Sequence, residues 1–230
     1  MTAWRFVALA TLWLAAAFVV GCAPAAKSTS SAPVATATLG PAPTGPLEPC
    51  SKNDGQLCLM DAGDYRSTAF RGGVSFTLGT SWNNTDNASD LIALFRTDDD
   101  YGGTVWLEIV GGPVPVGPDP AATPAKTIVD FVTGLDAIGG LTITSVVGSD
   151  FGAHASQAYD VVNDGAGTVV LFSYATTDGQ YHLDAGATVR IYWLDINGAP
   201  VLVTVEAPTA HFTAFLADQE PFLASIAFGG

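Results

Sequence analysis

Three consecutive aspartates form the densest group of metal-ligand side chains in the sequence, Asp98, Asp99 and Asp100. An EF-hand loop that began at Asp98 would place Gly102 at its fifth position and Ile109 at its twelfth, where calcium requires a bidentate glutamate. Asp and Gly are also the residues that tight turns favour for reasons of backbone geometry. The sequence therefore predicts an acidic turn here rather than a calcium site.

The remaining candidate motifs are incomplete. The histidines are His154, His182 and His211, and no spacing among them supplies the three protein ligands of a catalytic metal. Residues 79–83 lack the closing glycine of a nucleophile elbow, and residues 165–167 lack the third glycine of a dinucleotide loop. We therefore predict no catalytic residue, no metal and no cofactor from these motifs.

Arg190 is the only Lys or Arg that follows Lys126, in a stretch with eleven Asp or Glu residues. Its predicted strand places it near the apolar side chains of Val203 and Val205. Because a buried cation must be paired, we expect a salt bridge that holds the sheet together. The alternative is that Arg190 contacts an anion or another ligand in a cleft. An Arg190→Met variant that fails to fold supports the first interpretation, and a folded variant that loses a ligand supports the second.

The N-terminal segment has the pattern of an export signal. Arg5 precedes an apolar run, 6–20, which is shorter than the roughly 20 residues of a membrane span. The tetrapeptide VVGC at positions 19–22 resembles the bacterial lipobox. The resemblance implies cleavage before Cys22, a diacylglycerol on its thiol and a further acyl chain, such as palmitate, on its new amine; together these anchor stably. The alternatives are an uncleaved transmembrane anchor and an ordinary secretory signal, and all three place residues 23–230 outside the cytoplasm.

Composition divides the chain into three segments. Residues 1–21 are predicted to be a lipoprotein signal peptide. Residues 22–49 carry the lipidated cysteine and a tether rich in Pro, Ala, Ser and Thr, which has too little apolar surface to fold. Residues 50–230 are predicted to form a single globular domain.

Cys50 and Cys58 at the start of this domain are predicted to form a disulfide. Outside the cytoplasm such a pair is more often a disulfide than a zinc site, because zinc needs four ligands.

The net charge of −14 limits the partners of the protein. Nucleic acids are disfavoured, because their affinity for proteins comes mainly from neutralisation of phosphates by Lys and Arg. Electrostatic docking on anionic lipid is disfavoured for the same reason. We therefore expect only the acyl chains on Cys22 to hold the protein at the membrane.

Most of the globular segment has the pattern of β-strands, and one part has the pattern of a helix. Ile128, Val132 and Leu135 repeat at helical spacing, with Thr123 as the expected cap and Pro124 at the first helical position. Aromatic residues of the strands, among them Trp106, are predicted to pack in the core. The predicted strands are 65–70, 74–78, 91–96, 104–110, 141–147, 155–162, 168–174, 188–196 and 200–206.

The clearest local signal is the hairpin 188–206. Asn197-Gly198 favours a type I′ turn, and a two-residue loop places Leu194 opposite Val201 and Tyr192 opposite Val203. Large apolar residues lie on both faces of this hairpin, so we expect both faces to be covered. A short helix is expected over 210–217, followed by a break at Glu220-Pro221 and a last apolar segment.

Residues 65–82, the helix around Ile128 and the segments YHLDAGATVRIYWLDINGAPVLVTVEAP and FTAFLADQEPFLASIAF resemble a group of exported bacterial domains whose fold is similar to the Mog1/PsbP type. The resemblance implies a fold and no activity. We therefore expect an α+β domain with a mainly antiparallel β-sheet and two or three helices packed on it. The alternative is a β-barrel or sandwich of the lipocalin type.

Taken together, these features favour a lipid-anchored protein on the extracytoplasmic face of the cell membrane. We expect a non-enzymatic binding or envelope-associated module that recognises an envelope protein or a small apolar ligand. An envelope hydrolase with a non-contiguous active site is the alternative. A titratable group with a perturbed pKa in a cleft would favour the enzyme, whereas a broad exposed apolar patch would favour the binding module.

Overall fold

Alternating apolar residues build most of the described chain into strands. The computed structural model describes residues 44–47, 58–115, 124–175 and 178–229. In chain order the strands are β1 (Thr44–Pro46), β2 (Cys58–Met60), β3 (Gly63–Ser67), β4 (Val74–Leu78), β5 (Trp82–Asn87), β6 (Leu91–Asp98), β7 (Gly103–Gly111), β8 (Val114–Pro115), β9 (Leu141–Val146), β10 (Asp150–Phe151), β11 (His154–Asn163), β12 (Val169–Ser173), β13 (Gln180–Leu183), β14 (Ala187–Ile196), β15 (Ala199–Pro208) and β16 (Ala227–Phe228). The helices are α1 (Ile128–Asp136), α2 (Phe212–Asp218) and α3 (Glu220–Ser225), with a 3₁₀ turn at Asp99–Tyr101. The fold is therefore α+β and dominated by antiparallel sheet, as the sequence predicts.

One large sheet forms the middle layer of the domain. Its strands follow the order β10-β11-β14-β15-β7-β6-β5-β2, and β9 pairs with β11 on the same side as β10. Every neighbouring pair in this sheet is antiparallel. Among the described residues the two ends of the sheet do not pair with each other. The sheet is open, and the closed lipocalin-type alternative is not formed.

The hairpin of β14 and β15 lies in the centre of this sheet and confirms the predicted register. Asn197 and Gly198 connect the two strands with φ angles of 55° and 82°, and a type I′ turn needs such positive values at both central positions. The predicted opposite pairs are Leu194 with Val201 and Tyr192 with Val203, and both are present. This register decides which side chains of the hairpin share a face of the sheet.

Both faces of the central sheet are covered. The first face, which carries Val203 of β15, packs against α2, α3 and a small sheet of order β1-β3-β4-β16. The second face, which carries Leu202 of the same strand, packs against α1 and a small sheet of order β13-β12-β8. The covering that the apolar residues of the hairpin predict is confirmed. A polar side chain near the centre of either face is consequently buried.

Helix α1 begins later than predicted. Its N-cap is Thr127, whose Oγ1 accepts a hydrogen bond from the backbone N–H of Asp130 at 3.1 Å, as capping threonines do. Thr123, the predicted cap, lies outside the described residues. Pro124 precedes the helix and does not start it. The predicted helical stripe is therefore confirmed, and the predicted start of the helix is wrong.

The C-terminal helical region also differs from the prediction. The chain breaks at Gln219, one residue before the predicted break, and a second helix, α3, begins at once. Pro221 lies in the first turn of α3, where its missing N–H has no helical partner to lose. The last apolar segment is thus mainly helical, and it packs Phe222 and Leu223 into the core of the first face.

Seven of the described strands lie outside the segments that the sequence predicts as strands, namely β1, β2, β5, β8, β10, β13 and β16. Strand β1 pairs in parallel with β3, and Leu47 directly after it is only 5% exposed. These residues lie inside the segment predicted to be a tether, so the packed part of the chain includes residues before position 50. Strand β5 has the polar sequence WNNTDN. It forms because β6 and β2 pair with it on either side, which overrides its low intrinsic preference for a strand.

Several predicted features lie outside the described residues. They are the signal peptide 1–21, the lipidation site Cys22, most of the tether 22–49, and Cys50. Cys58 begins β2, and its disulfide with Cys50 stays a prediction. In the part of the chain that the structure describes, no helix combines the length and apolarity needed to cross a membrane.

Candidate functional site

Two glutamates lie on neighbouring strands in the middle of the second face. Glu108 of β7 is directly opposite Thr204 of β15, and Glu206 of β15 is directly opposite Trp106 of β7. Residues two positions apart on a strand point to the same side, so these side chains share one face. Apart from Trp106, all are largely buried, with Glu108 6% and Glu206 7% exposed. The sheet therefore places two carboxyl groups where it otherwise places apolar side chains.

Two tyrosines from the covering sheet donate hydrogen bonds to these carboxyl groups. The Tyr174 hydroxyl, just after β12, lies 3.1 Å from Oε1 and 3.0 Å from Oε2 of Glu108. The Tyr181 hydroxyl of β13 lies 2.5 Å from Oε2 of Glu206. We call Glu108, Glu206, Tyr174, Tyr181 and Thr204 the carboxyl–tyrosine cluster.

Burial raises the pKa of Glu108 from its ordinary value of 4.5 to about 8. The hydrogen bond from Tyr174 opposes this rise, because it stabilises the carboxylate. The negative charges of Glu206 and Asp86 act in the same direction as burial. Glu108 therefore holds a proton in the folded protein at neutral pH.

Burial also raises the pKa of Glu206, to about 7. The hydrogen bond from Tyr181 lowers it and the charge of Asp184 raises it, both by less than burial does. The pKa values of Tyr174 and Tyr181 are raised, first by burial and then by the neighbouring carboxylates. Both phenols are therefore hydrogen-bond donors throughout the physiological range.

Thr204 is the polar residue between the two carboxyl groups. It is fully buried, with 0% of its surface exposed, and its Oγ1 has no hydrogen-bond partner among the described residues. A buried hydroxyl without a partner costs about 1–3 kcal/mol. The cluster therefore contains unused hydrogen-bonding capacity beside its two titratable carboxyl groups.

No described basic residue acts on either carboxyl group. The charged side chains that shift their pKa values are all acidic, namely Asp86, Asp184 and Glu206. Buried carboxylates are normally paired with a cation. In the described part of the chain, the titratable groups that act on these carboxyl groups are phenols and other acids.

Two aromatic rings extend the cluster toward the surface. Phe95 of β6 is opposite Trp106 of β7, which is opposite Glu206, and the centroids of the two rings are 5.0 Å apart. Both side chains are half-buried, as are Tyr174 and Asp86. Trp106 is therefore less buried than the core position predicted for it. The cluster borders a partly exposed surface that is aromatic and acidic.

Arg190 lies on the first face, away from this cluster. Its Nε and Nη2 lie 2.7 Å and 2.8 Å from the two carboxylate oxygens of Asp160, which is directly opposite on β11. Its guanidinium also lies 5.9 Å from the ring centroid of Phe212, and its strand partner Val205 is apolar as predicted. The geometry is that of a salt bridge that joins two strands. The contact of Arg190 with an anion or ligand stays a prediction.

Asp99 and Asp100 begin the 3₁₀ turn Asp99–Tyr101, and Asp98 caps this turn at the end of β6. Asp98 accepts a hydrogen bond from the backbone N–H of Asp100 at 3.0 Å and lies 3.1 Å from Nη2 of Arg96. Their positions are those of an acidic turn with backbone and ion-pair contacts. Within the described ranges, no three or more His, Cys, Asp or Glu side chains are grouped in a way that could hold a metal ion.

An open pocket lies elsewhere on the domain, beside β3 and β4. It has a volume of about 360 Å³, and Arg66, Phe76 and Gly229 are among the residues that line it. Two of its hydroxyl groups are engaged locally, since Thr77 donates to Asp64 and Tyr65 donates to the backbone of Asp61. We therefore place the candidate site at the carboxyl–tyrosine cluster.

The sequence contains a signal for this site that does not have the form of a motif. Glu108 and Glu206 are single acids inside apolar strands, in WLEIV and VTVEAP. The hairpin register and the expectation that both faces are covered together imply that Glu206 is buried. No sequence spacing identifies Tyr174 as a partner of Glu108, because these residues belong to different layers of the fold.

The cluster could carry out two kinds of chemistry. Two carboxyl groups that titrate near neutral pH can exchange protons with a bound molecule. Buried acids without a basic partner can also bind a cationic group.

Comparison with known proteins finds no family profile and no curated protein that matches this chain.

Proposed function

We propose that this chain is a lipid-anchored extracytoplasmic lipoprotein whose globular domain is a non-enzymatic binding module. The lipobox resemblance at positions 19–22 and the apolar run before it support the placement. The tether rich in Pro, Ala, Ser and Thr supports a domain held at a distance from the bilayer. The partner is an envelope protein or a small ligand.

The observation that carries the binding role is the pair of carboxyl groups on the second face without a described basic partner. Burial of a carboxyl group in a core costs free energy that an apolar residue of the same size would not. A binding site uses a few such buried polar groups to select its ligand. The half-buried rings of Phe95 and Trp106 lie next to the cluster, at its partly exposed border.

We also propose that the domain has the Mog1/PsbP type of fold. The large antiparallel sheet with helices on both faces is compatible with it. Superposition of an experimental structure on members of that fold type tests this proposal. A different strand order across the central sheet would contradict it.

Lipid labelling tests the placement of the protein. Cells that express the full chain are fed an alkyne-tagged fatty acid, and we expect label on the natural protein and none on a Cys22→Ala variant. Ser31→Ala, a change in the tether, is the matched control and keeps the label. Mass spectrometry of the native protein that finds an unmodified Cys22 contradicts the anchor.

An envelope hydrolase is the second candidate, and one observation favours it. Glu108 and Glu206 have pKa values of about 8 and about 7, which are suited to general acid and general base roles at neutral pH. A screen of ester, glycoside and amide substrates tests this candidate. A turnover that is lost in both Glu108→Gln and Glu206→Gln, with a bell-shaped pH dependence in the parent, would support the enzyme and contradict the binding module.

A further inference from the structure

We propose that the carboxyl–tyrosine cluster binds an organic cation that has a primary ammonium group and an aromatic or apolar body. The ammonium group contacts Glu108 and Thr204, and the body lies against Trp106 and Phe95. This inference rests on the proposed binding function and names its ligand class.

Charge is the first argument for a cation. The titratable groups that face Glu108 and Glu206 are Asp86 of β5, Asp184 after β13, and the phenols of Tyr174 and Tyr181. None of them carries a positive charge. A ligand with a positive charge therefore supplies what the described surroundings of the carboxyl groups lack.

Hydrogen bonding is the second argument, and it favours a primary ammonium group. Such a group has three N–H donors. A carboxylate can accept about four hydrogen bonds, and Glu108 receives one from a described side chain, that of Tyr174. Thr204 Oγ1, fully buried and directly opposite Glu108, has no described partner and can accept another. A quaternary ammonium group has no N–H and would leave Thr204 Oγ1 and the remaining acceptor sites of Glu108 without a donor.

The neighbouring aromatic pair indicates the body of the ligand. Trp106 and Phe95 are half-buried, their centroids are 5.0 Å apart, and Trp106 is directly opposite Glu206. A flat apolar group on these rings would remove exposed aromatic surface from water. It would also bring its ammonium group toward the carboxyl groups on the same face.

Binding is coupled to proton release. At neutral pH Glu108 is protonated, since burial raises its pKa to about 8. The ammonium group binds the carboxylate, so the carboxyl proton passes to the solvent when the complex forms. Affinity consequently increases as the pH rises from about 6 to about 8.

Isothermal titration calorimetry of the full chain in detergent tests the inference, with 2-phenylethylamine as the probe. We expect binding with a Kd of about 1 mM or lower, the strength expected for one charge-assisted hydrogen bond and one stacked ring. Titrations in buffers of different ionisation enthalpy are expected to show release of up to one proton. The neutral analogue 2-phenylethanol is expected to bind at least tenfold more weakly.

Three variants locate the site. Glu108→Gln is expected to weaken amine binding roughly tenfold or more and to abolish proton release. Thr204→Val is expected to weaken amine binding by roughly tenfold while its urea midpoint stays equal to that of the parent or rises, because it removes an unpaired hydroxyl. Glu220→Gln makes the same change as the first variant at an exposed acid and is expected to leave affinity unchanged.

Three results would overturn the inference. They are no binding of 2-phenylethylamine, equal binding of 2-phenylethanol, or an equal loss of affinity in Glu220→Gln and Glu108→Gln. Each leaves the lipid-labelling result at Cys22 intact. Failure of the ligand class is therefore distinguishable from failure of the proposed placement.

Discussion

The stability of the domain is expected to fall as the pH rises from about 5 to about 8, and Glu108→Gln is expected to remove much of this dependence. Burial raises the pKa of Glu108 in the folded state from 4.5 to about 8. Between these values the folded protein holds the proton and the unfolded chain has released it. The unfolded state then binds fewer protons than the folded state, so the free energy of unfolding decreases with pH.

The size of the effect follows from the same two pKa values. Each pKa unit corresponds to about 1.4 kcal/mol, so the interval from 4.5 to about 8 corresponds to roughly 5 kcal/mol for Glu108. Glu206, with a pKa of about 7, adds roughly 3 kcal/mol over its own interval. These losses are a large share of the roughly 5–15 kcal/mol that stabilises a typical domain.

Urea unfolding of the parent and of Glu108→Gln at about pH 5 and about pH 8 measures the effect. Gln has the shape of the protonated side chain and keeps an acceptor for Tyr174. We expect the two proteins to have similar midpoints at the lower pH and the variant to be more stable by several kcal/mol at the higher pH. Glu220→Gln, at an exposed position, is the control and should follow the parent. A parent stability that is constant or rises over this range, with unchanged m-values, would refute the reasoning.

Three further substitutions test the fold. Arg190→Met is expected to lower the free energy of unfolding by roughly 2 to 4 kcal/mol, because it leaves the carboxylate of Asp160 without its partner. The double variant with Asp160→Asn is expected to recover part of this loss. Equal stability of the single variant and the parent would argue against a structural role. Gly148→Ala is expected to lower the free energy of unfolding by roughly 1 to 3 kcal/mol, because its Cβ would clash with the backbone oxygen of Ser156 in β11. Gly139→Ala, whose Cβ would have no atom within 4 Å, is the control, and equal urea midpoints for the two would contradict the contact. Asn197→Ala is expected to lower the free energy of unfolding by roughly 1 kcal/mol, because the φ of 55° at this position is unfavourable for alanine. Asn197→Gly is expected to lose less stability. If thermal unfolding gave the opposite order, the type I′ turn would be contradicted.

The sequence was informative where the structure depends on neighbouring residues. Asn197-Gly198 determines a two-residue turn, and this turn sets the register of β14 and β15 over their whole length. The helical stripe of α1 was equally local. Its cap at Thr127 was missed because two threonines, Thr123 and Thr127, precede the stripe. The hydrogen bond that Thr127 accepts from the Asp130 N–H identifies it as the cap.

The sequence was uninformative where a segment depends on distant neighbours. WNNTDN has no strand pattern of its own, and it becomes β5 because β6 and β2 pair with it. Leu47 belongs to a segment with the composition of a tether, yet it is buried against the packed domain. In both places the free energy of pairing and burial outweighs the local preference of the chain.

The sequence by itself determined the strand periods, the central hairpin, the acidic charge and the expectation of a lipidated Cys22. Only the tertiary structure decided that β7 lies beside β15, and with this pairing that Glu108 faces Thr204 and lies near Glu206. Tyr174 reaches Glu108 from a third segment of the chain. Local turns are specified by a few adjacent residues. The neighbours of a strand depend instead on how whole apolar faces are buried together, and no short stretch of sequence contains that information.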